Sequence, residues 1–161
     1  MIRRESQGGF SLIELMTVLT IIGILARLAM PVFQGLRRDA IAAEVAGDYN
    51  TVRAASIAQY EATGSYAADG ALGAVPAGMA PFLPRSYSFT KAEYQLDWDH
   101  WTVADTTQGA VTTGMILAVT VVTPDERTGR QVLRTLGRNC THWSVGDAST
   151  FVVMSTLEAP Y

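Results

Sequence analysis

The sequence predicts an α+β fold in which one long N-terminal helix packs on a small antiparallel β-sheet head. Three observations carry this. Phe10 to Phe33 is an apolar run broken only by the charges of Glu14 and Arg27. Beyond it, Ile41, Val45, Tyr49, Val52, Ser56 and Tyr60 recur at threes and fours, the spacing of one helix face. After residue 86 the chain turns to short apolar segments separated by turn formers, the pattern of strands. With 161 residues there is room for one core and an appendage, and not for two independent cores.

Composition narrows the class. Hydrophobic residues make up 48% and charged residues 17%, against roughly 25% charged in an average soluble domain, which excludes wholesale disorder. Fourteen Gly and six Pro exclude collagen-like and low-complexity chains. A net charge of −3 is not the footprint of a nucleic-acid binder, and no nucleic acid is expected as a partner. Cys140 is the single cysteine, so an intramolecular disulfide framework and a multi-thiolate metal site are both excluded. No metal and no cofactor is expected.

The apolar run is of membrane scale. As a helix, Phe10 to Phe33 measures about 36 Å at 1.5 Å per residue, against a hydrocarbon core of roughly 30 Å. Arg3 and Arg4 precede it and hold the N-terminus in the cytoplasm, which sends the remainder outward. A cleaved secretory signal has the same outline. Against it stand the length of the apolar stretch, Glu14 near its beginning, and the want of a small-x-small site, with Arg27 two residues before Ala29. A plain signal anchor needs only the hydrophobicity and the flank, and leaves Glu14 unexplained. A carboxylate among lipid tails is costly and demands a partner. No side chain from Phe10 to Ala26 is a cation. Cutting the chain after Gly9 would supply one, because Phe10 would gain a charged α-amino group within an i to i+4 reach of Glu14 on its own or an adjacent copy.

The run Gly9-Phe10-Ser11-Leu12-Ile13-Glu14-Leu15-Met16 resembles the type III signal peptide of type IV prepilins and of the pseudopilins of type II secretion. The resemblance covers residues 1 to about 35 strongly, and the helix to Thr63 more loosely. It implies that a membrane prepilin peptidase cuts between Gly9 and Phe10 and N-methylates Phe10. It further implies that Glu14 neutralises the Phe10 amine of a neighbouring subunit and so sets the register of a helical filament. The family commonly carries a proline where Pro31 stands. Two features depart from it. Arg27 interrupts a stretch that is usually apolar, although about 26 Å along the helix its stem can snorkel to the outer interface. The lone Cys140 cannot close the C-terminal disulfide loop that many pilins have.

Past Pro31 the stripe named above faces a sheet, while Arg37, Arg38, Asp39, Glu44, Asp48 and Arg53 fall largely off it. Gly64 is a stop signal, and a helix from Phe10 to Thr63 measures on the order of 80 Å. Pro31 has no amide hydrogen and crowds the carbonyl of Arg27, so a kink or a local loosening is expected there, with Gly23 and Gly35 on either side. The resulting division is a cleaved leader 1–9, a transmembrane and filament-core helix 10–35, an amphipathic helix 36–63, a connecting loop 64–86 and an antiparallel head 87–161. The loop is either a simple connector or a site of subunit contacts.

In the head, strands are expected at Ser88–Phe89 running weakly into Tyr94–Val103, at Met115–Thr123, Gln131–Leu136 and Thr150–Ser155. Pro124 to Gly129 reads as a hairpin loop making the second and third of these antiparallel neighbours. Met115–Val122 is apolar on both faces except at Thr120, which places it centrally. The only histidines, His100 and His142, stand beside tryptophans, and Cys140 and His142 have no orienting motif around them, so no enzyme is expected. Asp97, Asp99 and Asp105 follow no EF-hand spacing and read as a solvated edge rather than a calcium site. Trp98, Trp101 and Trp143 read as core or interface aromatics, and an exposed one would be a candidate contact.

The expected function is that of a structural subunit of a type IV pilus-like filament, with a type II secretion pseudopilin as the alternative and a membrane-anchored periplasmic binding domain behind it. Its partners would be copies of itself, related pilin subunits, the prepilin peptidase, an inner-membrane assembly platform and membrane lipid. It would be stored in the bacterial inner membrane, N-terminus inward, and end in a surface pilus or a periplasmic pseudopilus.

Overall fold

The computed structural model describes residues 10–105, 112–137 and 141–156, and at 104–105, 112–113 and 155–156 the backbone only. The leader with Arg3, Arg4 and Gly9, the side chain of Asp105, and Cys140 lie outside what is described. The elements are α1 (Leu12–Thr63), a 3₁₀ turn (Ala80–Phe82), β1 (Gln95–Asp105), β2 (Thr112–Val122), α2 (Glu126–Leu136), β3 (His142–Val145) and β4 (Ala148–Thr156). The expected α+β class is met. The chain divides into two units, Met1–Arg37 and Arg38–Tyr161.

In the second unit the sheet is antiparallel throughout, in the order β1-β2-β4-β3. β2 is interior, as its two apolar faces require. Alternation along the strands sends Leu96, Trp98, Leu117, Val119, Val121 and Phe151 to one face, where they are buried with Ile41, Val45, Tyr49 and Val52 of α1. Each such aliphatic or aromatic side chain contributes about 1.5–3 kcal/mol by leaving water. Of the expected stripe, Tyr60 is the one that stays half-exposed, stacked on Tyr66 at 4.6 Å. The helix stops where Gly64 donates its N–H to the Tyr60 carbonyl.

Asp48, expected off the stripe, is buried instead. Its carboxylate accepts the Tyr94 hydroxyl at 2.6 Å and lies 3.3 Å from Lys91 Nζ. Burial, then the hydrogen bond to Asp48, pushes the Tyr94 phenol above its usual range. A buried carboxylate is tolerated here because two donors meet it. The edge of β1 is covered from the connecting loop, whose Gly70 and Gly73 N–H groups donate to the carbonyls of Trp98 and Leu96.

The hairpin loop at 124–129 and the strand at Gln131–Leu136 are overturned, since this stretch is α2. Six residues around Val132 and Leu133 are too few to separate a period of two from one of 3.6. Counted from the cap, Thr128, Val132 and Leu136 fall four apart on the inward face. Asp125 is the N-cap: its Oδ1 accepts the Thr128 N–H at 2.8 Å, and its Oδ2 lies 3.4 Å from Arg38 Nε. Gly137, at φ 78°, ends the helix. Gly129 lets α2 lie close on β4, since a Cβ there would force Ser149 Oγ to move. β3 was not foreseen. It pairs with β4 across a Gly146-Asp147 turn, a two-residue hairpin signal present in the sequence.

Burial works against the charge on Asp125, but the Thr128 amide and hydroxyl and the Arg38 guanidinium outweigh it and hold the carboxyl below the usual aspartate range. A lowered native pKa adds stability above the ordinary value of about 3.9, and this is lost as pH falls through the native value. Denaturation of the full chain in detergent should show Asp125→Ala losing about 1 kcal/mol at pH 7. Asp125→Asn, which still caps, should lose less, and its deficit should close as the pH falls below the ordinary aspartate value.

Candidate assembly and processing site

Phe10 and Ser11 lead into α1, and Glu14 lies in its first turn. Ser11 Oγ accepts the Glu14 N–H at 3.3 Å, and Glu14 Oε2 accepts both the Ser11 N–H and the Ser11 hydroxyl at 2.9 Å. This reciprocal pair is a capping box, Ser-x-x-Glu, which satisfies two amide donors that a helix start leaves without partners. A carboxylate at a helix N-terminus is also favoured by the axial dipole. Phe10, just ahead of the box, is 84% exposed.

The capping box corrects one step of the sequence reading. Glu14 has a partner within its own chain, so a plain anchor would also account for an acid at this place. Ser11 three residues ahead of Glu14 was the legible signal. The box supplies hydrogen bonds and no positive charge, so the carboxylate still lacks a counter-ion from Phe10 to Ala26. Gly9, the other residue assigned to processing, lies outside the described residues.

The first unit is apolar on every side and uncovered. From Leu12 to Leu36 its large apolar side chains are all exposed, and none of its most apolar 18-residue window, of mean hydropathy 2.0, is buried. The helix is therefore long and apolar enough to cross a bilayer. Its threonine hydroxyls are turned back on the backbone: Thr17 and Thr20 donate to the Ile13 and Met16 carbonyls at 2.8 Å, which leaves neither hydroxyl donor unmet in lipid. Pro31 lies inside α1, which stays helical through it, and a Cβ at Gly23 or Gly35 would meet nothing.

The head residues singled out for chemistry separate. Trp98 is buried, with Nε1 donating to the Ala67 carbonyl. His100 serves the connecting loop: its N–H donates to Asp69 Oδ1 at 3.0 Å, and its Nδ1 lies 2.9 Å from the Ala67 carbonyl. His142 stacks on Phe151 at 4.8 Å, and burial holds its pKa below the usual value. Trp101 and Trp143 come together on the other face of the sheet, ring centroids 5.6 Å apart. Asp99 on that face accepts the Thr120 hydroxyl. Asp97 keeps one carboxylate oxygen buried and without a partner. Burial and then the charges of Asp99 and Asp69 push the Asp97 carboxyl above the usual range.

Residues 4–26 match the family described as the prokaryotic N-terminal methylation motif. The chain thus carries the signal motif of type IV pilin and pseudopilin precursors, placed across Phe10, Ser11 and Glu14. No curated protein and no solved structure matches the chain.

A raised native pKa means that stability is lost as pH rises through it. Asp97→Asn should therefore melt higher than the wild-type chain at pH 7. The gain should vanish below the ordinary aspartate value of about 3.9, where both side chains are neutral, and thermal melts in detergent at pH 7 and pH 3 read this directly.

Proposed function

We propose that this protein is a structural subunit of a type IV pilus-like filament, made as a precursor, held in the inner membrane by α1, cut between Gly9 and Phe10, N-methylated on Phe10 and assembled through its N-terminal helix. One coincidence carries the reading: the methylation motif sits at the head of a helix whose apolar surface is uncovered on all sides. Such a surface has two stable environments, lipid and a bundle of similar helices, and passage from one to the other need not expose it to water. The same steps serve a type II secretion pseudopilin, which the motif supports equally. The role is structural rather than enzymatic, and the partners are further subunits and the prepilin peptidase.

In this mechanism Glu14 has two successive partners. Before assembly Ser11 holds its carboxylate at the helix start. In the filament the N-methylated amine of Phe10 on a neighbouring subunit takes it, exchanging neutral donors for a positively charged one in a region without water. Contact with the wrong neighbour, or in the wrong register, leaves a charge buried and unpaired, which is what makes the pair selective.

Two substitutions separate capping from charge pairing. Gln also serves in a capping box, so Glu14→Gln keeps the helix start and removes the charge, whereas Ser11→Ala weakens the cap and keeps the charge. Electron microscopy and sheared-fibre yields should show Glu14→Gln membrane-inserted, cleaved and at least tenfold poorer in filaments, with Ser11→Ala still assembling. Normal filaments from Glu14→Gln would contradict the pairing.

A further inference from the structure

On the face of the sheet turned away from α1 the central Ala118 and Thr150 are buried, and the side chains around them are unlike those of an ordinary solvated face. Trp101 and Trp143 stand together at a centroid distance of 5.6 Å and an interplanar angle of 36°. Trp143 is 41% exposed and Val145 beside it on β3 is 78% exposed. Along β1 the same face presents Asp97 and Asp99, which take part in none of the described ion pairs. A partly exposed aromatic pair, Trp143 the more open of the two, flanked by carboxylates is suited to a cation with a flat or apolar body, because the ring faces and the acids attract the same charge.

The opposite side of the sheet holds the complement. α2 packs there beside α1, with Val132 in the shared core and Gly129 against Ser149. Its outward face bears Arg127, Arg130 and Arg134 against the single acid Glu126. All three arginines are exposed, and the Arg130–Glu126 pair at 3.0 Å is half open to water. Guanidinium groups both stack on indole rings and pair with carboxylates. The two surfaces are on opposite faces of one sheet and cannot meet within a chain.

We infer that the Trp101–Trp143 face with Asp97 and Asp99 is the docking surface for the arginine face of α2 on a second copy of this chain. The inference rests on the filament reading above and names a head contact for it. Because the two surfaces are different and do not overlap, the contact is heterologous. Each copy offers one of each, so it does not close as a two-fold dimer, and where its rotation does not close a ring it propagates as the open helical array a filament needs. The raised carboxyl of Asp97 fits this arrangement, since a head that keeps crowded acids at its own expense has a use for a positive partner.

Two full-length variants test this, Arg127→Glu with Arg130→Glu on the helix side, and Asp97→Lys on the sheet side. Each should insert and be cleaved normally, melt as a folded chain in detergent, and give at least tenfold fewer filaments alone. Expressed together they should restore filaments, because the acidic helix of one variant fits the lysine face of the other, while the unchanged arginine helix of the second fits the unchanged acidic face of the first. Misfolding of either variant could not produce that rescue. Normal filaments from either variant alone would assign the face to another partner and overturn the inference, and so would failure of the mixture with both variants folded. The filament reading itself would stand in both cases, since it is tested on the wild-type chain, by its cleavage and by whether it makes filaments.

Discussion

A helix that is apolar all round, with one acid in its first turn, is the constraint from which the rest follows. The large apolar side chains from Leu12 to Leu36 find no cover among the described residues, and water is the one surrounding they cannot accept at rest. Lipid satisfies them but leaves the charge of Glu14 uncompensated. A bundle of like helices satisfies them as well, and can bring a positive terminus to the carboxylate. The Ser11–Glu14 capping box shows how the first environment is made tolerable: the acid is turned back on the helix start and hydrogen-bonded there. The box lends the acid donors without neutralising it, so the arrangement remains open to a better partner.

The second unit meets a different requirement. It must fold around α1 from Ile41 onward and still present surfaces to its surroundings. The helix side of the sheet is closed by Trp98, Phe151, Val119 and their neighbours. Where polarity is buried it is matched, as with Asp48 between Tyr94 and Lys91. The other side is left with two tryptophans, exposed valine and poorly compensated aspartates, a combination that lowers the stability of a lone copy. Stability is thus concentrated on the α1 side, and recognition falls to the tryptophan face and to α2.

The fold class was legible because its signals are long. A membrane-scale apolar run, a stripe sustained from Ile41 to Ser56 and the apolar block Met115–Val122 each outlast any local ambiguity. The helix stop at Gly64 was legible for the same reason. What failed was short. Gln131–Leu136 was read as a strand because a window around Val132-Leu133 contains too few residues to show its period, and the decisive residue, the cap Asp125, lies outside that window. β3 was missed because four residues with one turn signal, Gly146-Asp147, stand out only once β4 is there to pair them. At the candidate site Glu14 was legible as an anomaly, and so was the signal of the capping box that accommodates it, the Ser11-x-x-Glu14 spacing, which the search for a cation passed over. The approach of Trp101 to Trp143 depends on tertiary placement of two edge strands and could not be read from spacing.

The central claim is that Glu14 is completed by an amine made by cleavage. Mass spectrometry of the N-terminal peptide, taken from protein isolated from the cells that produce it, tests this most directly. The account predicts a mature chain beginning at N-methylated Phe10. A chain that still carries residues 1–9 would contradict it and leave α1 as an anchor capped by its own serine.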